Sequence, residues 1–132
     1  MTTNHEGLAY FVNEWGLAMS EVTLRHRRGN VAETEQKITW RNVAPDKEGV
    51  DEKGNRSYLK FTYITGRGSP EDYWWILFSL MGGETYQCSN NFYCSLSSDD
   101  NGIVKVRVGS DVQKLYIDFS NSSKCEKSIK KV

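Results

Sequence analysis

Two histidines, three cysteines and a run of adjacent aromatics are the residues with which this chain could do chemistry. A hydrolytic triad needs a nucleophile, an imidazole base and an orienting carboxylate. Serines are plentiful, but only His5 and His26 could act as the base, and no Gly-x-Ser-x-Gly elbow occurs. His5 lies in what reads as a frayed terminus. His26 shares a strand face with Val22 and Leu24, the setting of a hydrogen-bonded core histidine rather than of a base. The chain is therefore expected not to be an enzyme. Cys88, Cys94 and Cys125 are an odd count. One disulfide with a free thiol and three reduced thiols both remain open. No Cys-x-x-Cys pair is present, and the histidines are far from the cysteines, so no zinc site is expected. Asp99-Asp100-Asn101 offers oxygens for calcium, but turn chemistry accounts for so short a run. Gly66-Arg67-Gly68-Ser69 has the glycines of a phosphate loop without a helix behind it. No metal or cofactor is expected.

What remains is the aromatic collection, densest at Tyr73-Trp74-Trp75. Tyr and Trp combine an apolar ring with a polar tip. They suit the membrane–water boundary, stack on sugars and surround choline-type cations. The six residues from Tyr73 to Phe78 are rich in strand formers. As a strand they place Trp74, Ile76 and Phe78 on one face and Tyr73, Trp75 and Leu77 on the other. Such a strand is either covered on both faces, or covered once with an aromatic ledge left in solvent. The ledge reading makes Tyr73, Trp74 and Trp75 ligand contacts. Arg67, at the neighbouring turn, would meet a phosphate, and Tyr93 or Trp15 would be a secondary contact. The competing reading makes these residues core, and for Trp15 core is the preferred assignment. Arg25, Arg27 and Arg28 form a small basic stripe that reads as a solvated face, with phosphate binding as the alternative.

The elements that must position these residues read as strands. Gly7–Asn13, Ala18–Arg28, Glu33–Val43, Tyr58–Thr65, Tyr73–Leu80, Glu84–Ser89, Phe92–Leu96, Ile103–Val108 and Lys114–Ser120 recur with turn residues between them. Gly82-Gly83 and Asp99-Asp100-Asn101-Gly102 read as hairpin turns. The charged stretch 46–55 reads as a surface loop, and no segment sustains a helical period. A chain of 132 residues is large enough for one domain with a real core. The expected fold is one all-β antiparallel β-sandwich domain, residues 1–132, with about nine strands.

Seventeen Lys and Arg balance seventeen Asp and Glu, and a neutral chain lacks the basic field of a nucleic-acid binder. Lys124, Lys127, Lys130 and Lys131 outnumber Glu126 in the tail, which reads as a solvated terminus, with weak attraction to an anionic membrane as the alternative. The first residues show no charged and apolar signal regions, and no stretch approaches membrane-spanning length. The protein is expected to be made in soluble form, and to act in the cytoplasm or leave by a non-standard route.

The same residues carry a resemblance. Tyr63-Ile64-Thr65-Gly66-Arg67-Gly68 followed by Asp72-Tyr73-Trp74-Trp75-Ile76 resembles a Tyr-Asn-Thr-Gly…Asp-Tyr/Trp-Trp-Trp pattern. That pattern belongs to small fungal and nematode domains named for up-regulation in long-lived insulin-receptor mutants. Val22-Thr23-Leu24-Arg25-His26-Arg27 is similar to that family's Val-x-Leu-x-His-Arg/Lys-Tyr strand, and Asn91-Phe92-Tyr93-Cys94 extends the match. The chain departs at Ile64, where Asn is expected, and at Arg28, where an aromatic is expected. The family is similar in size and architecture to aegerolysins and actinoporin-like sandwiches, many of which recognise membrane lipids and some of which form pores, alone or with a partner. The resemblance thus implies a module for membrane lipid head groups, with its site around Gly66 to Trp75 by position. A glycan or a protein partner on the same aromatics is the alternative.

Overall fold

The computed structural model describes residues 1–122 and 124–132. Its strands are β1 (Thr2–Glu14), β2 (Met19–Arg28), β3 (Gln36–Val43), β4 (Leu59–Gly66), β5 (Asp72–Leu80), β6 (Thr85–Cys88), β7 (Phe92–Tyr93), β8 (Ile103–Gly109), β9 (Lys114–Asp118) and β10 (Cys125–Lys131). The one helical element among the described residues is a single 3-10 turn, Ala32–Thr34. No described helix is long and apolar enough to cross a membrane.

The strands join in the order β3-β2-β5-β6-β10-β9-β8-β1-β4, with β7 also on β5. The expected pair of separate sheets is therefore corrected to one continuous, nearly closed, barrel-like sheet. The link is β10. Its first half pairs with β9 through Cys125 opposite Ile117, and its last residues pair with β6 through Ile129 opposite Cys88. The tail that read as solvated is thus a strand. It escaped notice because Ile129 is its one fully buried apolar residue, too few to show a period of two. The sheet is also not wholly antiparallel, since β1 runs parallel to β8 over Leu8–Glu14. The edges β3 and β4 face each other, and the side chains of Arg28 and Gln36 cross the seam to Thr62 Oγ1.

Other boundaries move for similar reasons. β1 begins at Thr2, so His5 is not frayed. It stacks on Tyr63 with centroids 4.7 Å apart, and its Nε2 lies 2.7 Å from Thr65 Oγ1. Phe92–Leu96 shrinks to Phe92–Tyr93, because Cys94 and Leu96 turn into the core beside Asp72. Gly82-Gly83 does close the β5–β6 hairpin. Asn101-Gly102 does not close one. Gly102 has the positive φ expected of a turn, +84°, but it feeds β8 into its parallel place beside β1.

The pairings define two ends. At the upper end β1, β3, β5, β8 and β10 finish; at the lower end they start. Inside, Phe11 stacks on Trp40, and Trp74 meets Phe61 edge-on. Gly7 is glycine because a Cβ there would lie 2.3 Å from the Phe61 ring. Four buried polar side chains organise the rest. Asn13 donates through Nδ2 to the carbonyls of Leu17 and Val43, and its Oδ1 accepts from Trp15 N, fixing the β1–β2 turn. His26 and Asp72 pair at 2.7 Å with both residues inside. Asp100 ties the lower loops together. Its carboxylate accepts from the backbone N–H groups of Ser97, Asn121 and Ser122 and from the Ser122 hydroxyl.

Burial alone would push the Asp100 carboxyl up, but these donors outweigh it and hold it well below the usual carboxylate range. Its contribution is therefore complete above the unfolded value of about 4 and is lost as pH falls towards the folded one. Asp100→Asn is expected to lose about 2–3 kcal/mol at pH 7, because an amide nitrogen would face N–H donors. Urea unfolding at pH 7 and pH 3 checks this. The gap between wild type and variant should shrink at pH 3; an equal gap at both would contradict the assignment.

Candidate binding surfaces

β5 presents the parity the sequence allowed. Asp72, Trp74, Ile76, Phe78 and Leu80 point inward, and Tyr73, Trp75, Leu77 and Ser79 point outward. Trp74 is fully buried, with Nε1 donating to Cys94 O at 2.8 Å. It is a core residue and leaves the ledge. Trp15 is also inside, its ring 4.9 Å from Phe78 and 4.8 Å from Tyr86, because the β1–β2 turn folds it over the barrel mouth. Neither can touch a ligand in this fold.

Tyr73, Trp75 and Tyr93 stay together on the outer face. Tyr73 pairs with Tyr93 across β5 and β7, with ring centroids 6.2 Å apart. Tyr93 is 62% exposed. Trp75 is half-buried because Arg25 lies over its ring at 3.8 Å, and its Nε1 donates to Cys88 O. That stack leaves Arg25 Nε without a hydrogen-bond partner, and burial lowers the Arg25 pKa against the attraction of Glu35. Arg27, opposite Tyr73 on β2, donates to Glu35 Oε1 at 2.9 Å. The stripe, which read as a solvated face with phosphate binding as the alternative, is engaged within the fold: Arg25 and Arg27 share the one carboxylate of Glu35, and Arg28 turns to Thr62. Arg67 is exposed in the β4–β5 turn, on the lower end. No ion pair is recorded for it among the described residues.

His26 keeps its expected place. Its ring lies between Phe61 and Trp74, Nε2 faces Asp72 Oδ1, and Nδ1 faces Gln36 Oε1 at 3.1 Å. Both nitrogens are engaged, so neither is free to take a proton from a nucleophile. Cys94 and Cys125 form a disulfide, which resolves the open pairing, and burial pushes the remaining Cys88 thiol up to about 11. That thiol is an inert core group. The Asp100 oxygens are filled by N–H and O–H donors, so Asp99-Asp100-Asn101 is a loop clasp.

The upper end carries a second surface that strand patterning does not find. Leu17 in the β1–β2 turn, Met81 in the β5–β6 turn and Val112 in the β8–β9 turn are 56%, 55% and 58% exposed. Met81 N donates to Ala18 O, which locks the first two turns together. The sequence signal is faint: an apolar residue next to Gly16, to Gly82 and to Ser110–Asp111, at turns where a strand pattern has ended. A cleft of about 550 Å³ also opens beside the seam, floored by Gly7, Phe61 and Gly102, with Leu8, Lys60 and Ile103 at its rim. No family model matches the chain, and no curated protein matches it.

The two adjacent tryptophans should separate cleanly. Trp74→Ala is expected to cost about 4 kcal/mol or to prevent folding. Trp75→Ala should keep a cooperative transition and lose less than half as much. Thermal unfolding followed by circular dichroism measures both, and equal losses would place Trp75 in the core.

Proposed function

We propose that the chain is a peripheral membrane-binding module that docks its upper end on a lipid bilayer. The observation that carries this reading is the convergence of Leu17, Met81 and Val112, each on its own turn, at one end of the barrel. A protein core or a flat protein interface gathers apolar residues into a contiguous patch. Separate aliphatic tips, one on each of three turns, instead suit entry between lipid head groups. The turns are held from below, by Asn13 under Leu17 and by the Met81–Ala18 hydrogen bond, so docking needs little ordering of loops.

The magnitude is modest. Each tip is already about half covered, so its transfer contributes roughly 1 kcal/mol and the three together about 3–4 kcal/mol. Lys47, Lys130 and Lys131 emerge at the same end, although Lys131 also lies 3.5 Å from Glu84. On an anionic surface each free lysine adds about 1 kcal/mol at most. Binding is then weak and reversible, with half-saturation at about millimolar lipid. This reading moves the lipid contact away from Arg67 and Tyr93, which belong to the lower end and the outer face.

Co-sedimentation with vesicles of mixed phosphatidylcholine, sphingomyelin, sterol and anionic lipid tests it. Wild type is expected to sediment with little blue shift of Trp emission, since no tryptophan sits at the tips. Leu17→Asp with Met81→Asp should cut the bound fraction at least tenfold while leaving the circular dichroism spectrum intact. Calcein release from the same vesicles reads whether docking proceeds to pore formation. Absence of sedimentation across the lipid set, or unchanged binding of the double variant, would overturn the proposal.

A further inference from the structure

On the outer face of the sheet, away from the docking tips, four side chains stand in one row across neighbouring segments. They are Tyr93 on β7, Tyr73 on β5, Arg27 on β2 and Glu35 just before β3. With strands spaced about 4.8 Å apart, three intervals make a platform about 14 Å long, the length of two or three linked pyranose rings. One end of the row is aromatic, and Tyr93 is 62% exposed. The other end is a hydrogen-bonding pair, the Arg27 guanidinium against the Glu35 carboxylate. Asn91, whose Oδ1 accepts from Arg25 Nη2, adds an amide beside the aromatic end.

We infer that this row is a binding platform for a neutral glycan. The apolar C–H face of a pyranose packs on Tyr93, against the tilted ring of Tyr73. Its hydroxyls, each both donor and acceptor, match a guanidinium beside a carboxylate, which together offer both roles. The engagement of the arginines argues for a neutral ligand. Arg25 lies over the Trp75 ring and Arg27 is held by Glu35, so neither guanidinium is free to grip an anion. The row is equally poor for a choline-type cation, which needs an aromatic cage without guanidinium neighbours. Trp75 is not a stacking platform, because Arg25 already covers its ring. It braces Arg25 and so sets the depth of the row. The site is shallow and open, so binding is expected to be weak, with affinity gained by recognising more than one sugar unit.

The test is a two-dimensional ¹H–¹⁵N titration of the full chain with four neutral tetrasaccharides: cellotetraose, laminaritetraose, chitotetraose and mannotetraose. At least one should saturate, with shifts clustered at residues 25–27, 73–75 and 91–93. Tyr93→Ala should weaken that binding at least tenfold, and Tyr93→Phe should restore it within about threefold, because stacking needs the ring and not the hydroxyl. The Leu17→Asp, Met81→Asp double variant should bind the sugar as wild type does, and Tyr93→Ala should still sediment with the mixed vesicles. The two sites can therefore fail separately. No saturable shift with any of the four at 10 mM, shifts elsewhere on the molecule, or binding indifferent to Tyr93→Ala would each overturn the inference. So would displacement of the sugar by millimolar phosphocholine, which would make the row a head-group site.

Discussion

A buried carboxylate sets the parity of the strand at the centre of this fold. Asp72 opens β5 facing inward, almost fully enclosed. An unpaired carboxylate there would be expensive by several kcal/mol. It is not unpaired: Oδ1 takes His26 Nε2, Oδ2 takes the backbone N–H of Leu96, and Gln36 closes the far side of the imidazole. β2, β3, β5 and the segment after β7 are thus joined at one point. Side chains alternate, so an inward Asp72 forces Trp74, Ile76 and Phe78 inward and Tyr73, Trp75 and Leu77 outward. A slip of one residue would exchange the two sets and expose Trp74. The outer row of tyrosines and arginines exists because a polar pair inside leaves β5 no other register.

That dependence explains what could be read from the sequence. The two faces of β5 were legible from alternation alone, but which face was core was not, because both are apolar. The deciding residue was Asp72, which looks like a turn residue until His26 is placed opposite it. Strands β2 to β6, β8 and β9 were recoverable because each alternates over several residues. β10 was not, since a strand with one buried apolar side chain looks like a solvated tail. Without β10, two packed sheets were the natural inference; with it, the halves become one sheet. Arg67 and the arginine stripe illustrate a different limit. Charge in a sequence says nothing about pairing, and Glu35 meets Arg25 and Arg27 only because the 3-10 turn brings it back beside β2.

The two ends of the barrel differ in how they are held. The lower loops are clasped by side chains that accept from several segments at once, as Asp100 does. The β1–β2, β5–β6 and β8–β9 turns at the upper end are short and held mainly by backbone bonds and by Asn13, with their tips free. Apolar residues at such tips are not recruited by the core, which is already closed by Trp15 against Phe78 and Tyr86. Leu17 and Met81 leave more than half of their surface outside that core, and it is this surplus that separates them from the equally apolar residues of β5.

β10 raises a final question of stability. The strand joins the two halves of the sheet, yet Ile129 is the one residue it buries fully, worth roughly 2 kcal/mol. Fixing the backbone of seven residues costs more than that. Ladder bonds to β9 and β6 narrow the gap without closing it. The Cys94–Cys125 bond spans 31 residues and anchors the first residue of β10. Closing a loop of that length removes about 3–4 kcal/mol of unfolded-state entropy on the chain-entropy account. Barrel closure therefore leans on a covalent tie more than on packing. Such a tie persists only where thiols are not kept reduced. In a reducing compartment β10 would be held by Ile129 and its ladders alone, and the sheet would open first between β6 and β9.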